Sequence, residues 1–177
     1  MSKILKYKLT DQDMKTHNGF QWELDKWVAV DGDGGLCSSG KLHYYHSAEL
    51  AILLNPIHVD IKNPRLWLAE CGKRGHLDDN GLKGGCNEMK LVKELSIIMF
   101  TTEQKIAFSI LCGKQVYNNV DWNLWGDNWL NNKDRSANTS NAAAHAAANA
   151  ANAAAYAAAH AAAKINLNKI AIECLKY

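Results

Sequence analysis

Four basic side chains, Lys73, Arg74, His76 and Lys83, stand among glycines at 72, 75, 81, 84 and 85. Glycine leaves backbone amides bare, and bare amides beside cations can receive a phosphate or a carboxylate. The stretch lacks G-x-G-x-x-G spacing and no Gly-Lys-Ser/Thr closes it, so it is neither a dinucleotide fingerprint nor a P-loop. The chemistry it suggests is anion binding. The plainer alternative is a hairpin tip carrying solubilising charge. Trp67 or a tyrosine nearby could stack on a base.

Other constellations are weaker. Cys37, His43 and His46 have C-x5-H-x2-H spacing, and Cys71, His76 and Cys86 have C-x4-H-x9-C spacing. A structural zinc site wants four ligands in close-spaced pairs, so no metal is expected. Asp78-Asp79-Asn80-Gly81 lacks the alternating oxygens and closing glutamate of a calcium loop and reads as a turn. There is no G-x-S-x-G and no Ser/His/Asp or Cys/His arrangement. No catalytic residue is assigned and no cofactor is expected.

The second group with chemical character lies near the carboxyl end. Between Ala142 and Ala163 every residue is alanine except His145, Asn149, Asn152, Tyr156 and His160. On an α-helix these five form one slowly drifting stripe, and the rest of the circumference is methyl groups. Alanine is the best helix former, and its small side chain lets a second helix approach to about 8 Å. An uncharged stripe of amides, imidazoles and a phenol suits hydrogen bonds to a ligand or a partner helix, or it faces water. His145, Asn149, Asn152 and Tyr156 are therefore ligand-binding candidates beside Trp67, Lys73, Arg74, His76 and Lys83.

The elements that must hold these groups change character along the chain. Residues 1–100 read as a strand-rich α+β domain. Ile4–Leu9 alternates as a strand; Phe20, Trp22 and Leu24 share a face of a second, which extends toward Val30. Asp31 to Gly35 is turn chemistry, and Leu42–His46 is a short strand. Ser47 caps a short helix that Asn55-Pro56 ends. Arg65–Cys71 is a strand, residues 72–85 a loop or irregular hairpin, and Glu88–Met99 a longer strand. Residues 101–177 read as helical. Thr101 with Gln104 forms a capping box, and the helix behind it includes Val116 and Tyr117. Asp121 caps a helix with Trp122, Trp125 and Trp129 on one stripe, and the Ala-rich helix covers 136–164. The fold class is α+β: a mostly antiparallel amino-terminal sheet with one short helix, then a helical part.

Totals narrow the function classes. Twenty basic and 18 acidic residues leave a net charge of +2, with no Lys/Arg run, so nucleic acid is not an expected partner. No stretch of about 18 strongly apolar residues appears, so no membrane span is expected. Five cysteines without C-x-x-C spacing read as reduced thiols of a cytoplasmic protein.

Gly19-Phe20-Gln21-Trp22, Leu36-Cys37 with Gly40-Lys41-Leu42-His43, Leu66-Trp67-Leu68-Ala69-Glu70-Cys71-Gly72 and Lys90-Leu91-Val92-Lys93-Glu94-Leu95 resemble uncharacterised proteins of phages and prophages that end in alanine-rich helices. The order strand, short helix, strand ending at Glu70 is also similar to part of the ADP-ribosyltransferase core, which cradles NAD. These resemblances imply a phage-encoded protein of the host cytoplasm. It would bind and sequester a nucleotide-derived immune signal, ADP-ribose-like or cyclic, and self-associate through the Ala-rich helix. The alternatives are a transferase-like enzyme using Glu70 and His43, or an assembling protein that binds a host protein.

Overall fold

In the computed structural model the described residues are 4–115, 117–135 and 165–177. The Ala-rich segment 136–164, with His145, Asn149, Asn152 and Tyr156, lies outside them. The chain divides into two compact units, Met1–Ile98 and Met99–Tyr177. The fold class is α+β.

The first unit is built on antiparallel strands. β1 (Ile4–Thr10), β6 (Arg65–Cys71), β9 (Glu88–Leu95) and β4 (Val28–Ala29) form one sheet in the order β1-β6-β9-β4. A bulge between Leu68 and Ala69 shifts the register of β6 against β9. β5 (Leu42–Tyr44), β8 (Gly84–Cys86) and β7 (Leu77–Asp78) form a second sheet in the order β5-β8-β7. The two sheets are joined just past β5, where Tyr45 exchanges backbone hydrogen bonds with Tyr7 at 2.8 and 3.1 Å. Trp22, Tyr44, Trp67, Met89 and Leu91 lead the core cluster. Helix α1 (Ala48–His58) packs on β1 and buries Leu50, Ala51 and Leu54.

Several local expectations need correction. The strand expected from Phe20 toward Val30 is broken up. β2 (Lys15–Thr16) and β3 (Phe20–Gln21) pair across a short turn, and β4 starts only at Val28. Asn18 and Asp25 have φ of 59° and 57°, left-handed values that end any strand. Trp22 is therefore buried while Phe20 and Leu24 are exposed, so the three do not share a face.

Helix α1 passes Pro56 instead of stopping there. The Asn55 carbonyl accepts from both Val59 and Asp60, and the Asn55 side chain binds Ile61 through its N–H and its C=O. Those bonds close the last turn although proline supplies no donor. Ser47 caps this helix as expected, accepting from the Leu50 amide at 3.2 Å. β9 stops at Leu95 rather than Met99.

The stretch 72–85 is more ordered than a loop, because β7 and β8 pair within it. Gly84 lies opposite Tyr44, and a Cβ there would run into the tyrosine ring. A Cβ on Gly85 would press on the Leu36 side chain at 2.7 Å. These two glycines let side chains lie flat on a strand rather than baring amides to an anion.

In the second unit, α2 (Thr102–Lys114) begins with the expected reciprocal capping box of Thr101 and Gln104. It ends before Tyr117, which is exposed. α3 (Val120–Leu130) is capped by Asn119, not Asp121; the Asn119 side chain accepts from the Trp122 amide at 2.9 Å. Trp129 is fully buried, and the Trp122 ring lies over Gly113 of α2. α4 (Leu167–Glu173) packs on α2 through Leu167, Ile170 and Ala171. No helix among the described residues is long and apolar enough to cross a membrane.

Two substitutions test this packing. Gly84→Ala is expected to cost about 1–3 kcal/mol through overpacking on Tyr44. Thr101→Ala is expected to cost about 1 kcal/mol through the lost cap. Urea unfolding of each variant checks both, and midpoints equal to wild type would contradict the contacts.

Candidate functional site

The alternation of β1 places Ile4, Lys6, Lys8 and Thr10 on one face, the face a sequence reader assigns to water. The register sets Lys8 opposite Trp67 and Lys6 opposite Ala69, which are core residues. Lys8 is consequently 9% exposed. Its Nζ donates to the His43 carbonyl at 2.7 Å and lies 5.2 Å from the centre of the Trp22 ring.

Lys8 lies in the wall of a cavity of about 590 Å³, within the ~300–1,000 Å³ usual for small-molecule sites. Five segments build it. They are β1, the turn from Thr16 to Trp22, the loop before β5 with β5 itself, the end of α1, and Lys83 just ahead of β8. The loop from residue 31 to 41 is closed at its base by contact of the Gly32 and Gly40 backbones, and it carries Cys37 and Ser38 to the rim. Phe20 and Trp22 supply an edge-to-face aromatic corner, with centroids 5.3 Å apart. On another wall Tyr45 stacks on His58 at 5.7 Å.

The electrostatics have one sign. Lys8, Lys41, Lys83, His17, His43 and His58 line the cavity, and among the described residues that line it there is no aspartate or glutamate. Lys41 is held by the Asn87 carbonyl oxygen at 2.6 Å and the Gly75 carbonyl at 3.1 Å. Among the described residues Lys83 meets only a weak acceptor, the Cys37 sulfur at 3.4 Å. His43 directs Nε2 at the Leu36 carbonyl, so that nitrogen carries the proton. Burial is the main cause that lowers the His43 pKa, with Lys8, Lys83 and His17 adding to it against the Leu36 carbonyl. Burial, then Lys83 and His43, push His58 down to about 4. Burial pushes Lys8 down to about 8, with the Cys86 and Cys71 thiols opposing. A cavity that discourages protonation of its own bases is a site where an arriving anion gains energy.

The residues picked out from sequence are not all brought together here. Trp67 is 2% exposed, donates its indole N–H to Thr10 Oγ1 and carries the Arg65 guanidinium over its ring. It has no free face for a base. Lys73 lies on the surface. Arg74 is paired with Glu88. His76 is bound at both nitrogens, by Tyr44 OH at 3.2 Å and the Gly72 carbonyl at 2.6 Å. Of the four basic candidates, Lys83 alone lines the cavity. Glu70 alternates away from Ala69 and Cys71 and pairs with Lys90 at 3.6 Å, so it does not meet His43 in this cavity. Among the described residues no three His, Cys, Asp or Glu side chains are grouped to hold a metal ion.

Sequence reasoning passed over Lys8, Lys41, His58 and the Phe20–Trp22 corner as a ligand wall. Their only local signal was a lysine in mid-strand and a histidine just after a proline-bearing helix turn.

The chain belongs to the family described as a domain of unknown function (DUF7666), which matches residues 4–103. Every residue lining the cavity falls inside the matched stretch. No curated protein and no solved structure matches the chain.

The depressed His58 pKa fixes a pH dependence. The unfolded chain takes up this proton near 6.5 and the native protein only near 4. Native stability is therefore lost as pH falls through that window. Urea midpoints measured from pH 7 to 4 should fall, and His58→Gln should flatten part of the slope. A slope that His58→Gln leaves unchanged would contradict the assignment.

Proposed function

We propose that the cavity beside Lys8 takes an anionic, ring-bearing small molecule of the nucleotide kind, ADP-ribose-like or cyclic, and that the protein acts by holding it. The observation that carries this reading is the lining itself, with three lysines, three histidines and no carboxylate. Burying cations without counter-charges is unfavourable, and an anionic ligand supplies the missing partner. Phe20, Trp22 and Tyr45 offer ring faces and edges against which a base can pack. The volume suits a nucleotide.

In this reading the protein works in the cytoplasm of a phage host, where holding an immune signal would blunt host defence; the resemblance to phage and prophage proteins supports it. Joining of copies through the segment 136–164 belongs to the same proposal. A chain that sediments as a monomer at micromolar concentration would contradict that part.

Calorimetric titration with AMP, ADP-ribose, a cyclic dinucleotide and adenosine tests the binding claim. The phosphate-bearing ligands should bind, and adenosine should bind far more weakly. Lys83→Ala should weaken binding about tenfold or more, as expected for a charge-assisted hydrogen bond of roughly 1.5–3 kcal/mol. An anion raises the pKa of His43 and His58, so affinity should tighten as pH falls from 7 to 5. Adenosine binding as tightly as AMP, or no binding across the panel, would overturn the reading.

A further inference from the structure

We propose that Lys8 is a covalent capture site, whose amine condenses with the carbonyl carbon of a phosphate-bearing aldehyde or reducing sugar held in the cavity. The inference rests on the anion-binding reading above and goes beyond it, because it names the reactive group of the ligand.

The geometry comes first. Lys8 is fixed in mid-β1 by antiparallel pairing with Trp67, so its side chain leaves a rigid strand. It reaches the cavity wall with 9% of its surface exposed. One N–H is taken by the His43 carbonyl at 2.7 Å, and the Trp22 ring flanks the amine at 5.2 Å. Among the described residues that line the cavity with it, none is a carboxylate. Lys41 differs, because its amine is tied to two acceptors, the Asn87 side chain and the Gly75 carbonyl. Lys83 differs again, since it is half-buried at the rim and suits the phosphate rather than the carbonyl.

The chemistry follows from that setting. Burial pushes the Lys8 pKa from 10.5 to about 8. Near neutral pH this supplies roughly three hundred times more free amine than an ordinary lysine has. The thiols of Cys86 and Cys71 act against that shift, and Lys8 in turn lowers the pKa of His43, whose backbone carbonyl it binds. The neutral nitrogen lone pair attacks the carbonyl carbon, and the C–N bond forms as the C=O π pair moves to oxygen. A proton passes from nitrogen to that oxygen, giving a carbinolamine. The oxygen takes a second proton from solvent water and leaves as water while the nitrogen lone pair closes the C=N bond, and the resulting iminium returns its N–H proton to solvent. Amine and aldehyde become imine and water, and no oxidant or reductant is used. A reducing sugar enters the same reaction through its open-chain aldehyde.

Pyridoxal 5′-phosphate is a suitable probe because it joins an aldehyde, a phosphate and an aromatic ring. The full chain is treated with less than one equivalent, reduced with borohydride, digested and mapped by mass spectrometry. The expected result is a reduced adduct on Lys8 ahead of every other lysine, suppressed by excess inorganic phosphate. Trapping should fall as pH drops below about 8. Lys8→Arg keeps the charge and should remove the adduct, but the wild-type map decides the matter even if that variant folds poorly. Adduct spread over surface lysines, or placed on Lys83, would overturn the proposal. Reversible binding of the probe with no adduct would overturn the imine alone and leave the anion pocket standing. Absence of both binding and adduct would overturn both.

Discussion

The first unit is organised around a buried cation that no carboxylate among the described residues neutralises. Lys8 sits in the core face of β1 with a carbonyl and an indole ring for company. Such a placement is costly unless the charge is weakened or a counter-charge arrives. Both outcomes are built in. Burial weakens the charge, and the adjoining cavity leaves space for an anion. Three histidines and two further lysines around the same space repeat the constraint, so the cavity is uniformly short of negative charge.

The surrounding elements keep that space open. Tyr45 ties the end of β5 to the free edge of β1, which sets the wall that carries Lys8. Gly32 against Gly40 closes the base of the rim loop, a contact that any side chain at either position would block. Gly84 and Gly85 in β8 let Tyr44 and Leu36 settle onto the strand. Asn55 holds the last turn of α1 beyond Pro56, and His58 reaches the cavity from that turn. Within the second unit glycines allow close packing of its own helices, with Gly113 beneath Trp122 and Gly126 against Ile110.

Much of the fold was legible because it rests on local rules. The span of β6, the Ser47 cap and the Thr101–Gln104 box follow from alternation and capping chemistry within a few residues. The cavity was not legible for two reasons. Its walls come from segments spread between residues 8 and 83, and no short motif joins them. The strongest local clue also pointed the wrong way, since alternation in β1 assigns Lys6 and Lys8 to water while pairing with β6 turns them inward. Trp67 reads as a stacking platform because it lies in a strand that runs into the basic glycine-rich stretch, whereas its indole is spent on Thr10. The basic glycine-rich stretch kept one functional residue, Lys83. The rest of its charge is bound to Glu88, Tyr44 and the chain's own carbonyls, or lies on the surface.

The Lys8 ammonium group is the point at which fold and function meet, and its titration is directly measurable. Nuclear magnetic resonance of selectively labelled lysine, followed against pH in the full chain, gives the midpoint for that amine. The account predicts a midpoint near 8 in the free protein, moving upward when AMP is added. A midpoint at the ordinary value for lysine, unmoved by the nucleotide, would mean that Lys8 is solvated and that the acid-free cavity does not govern this domain.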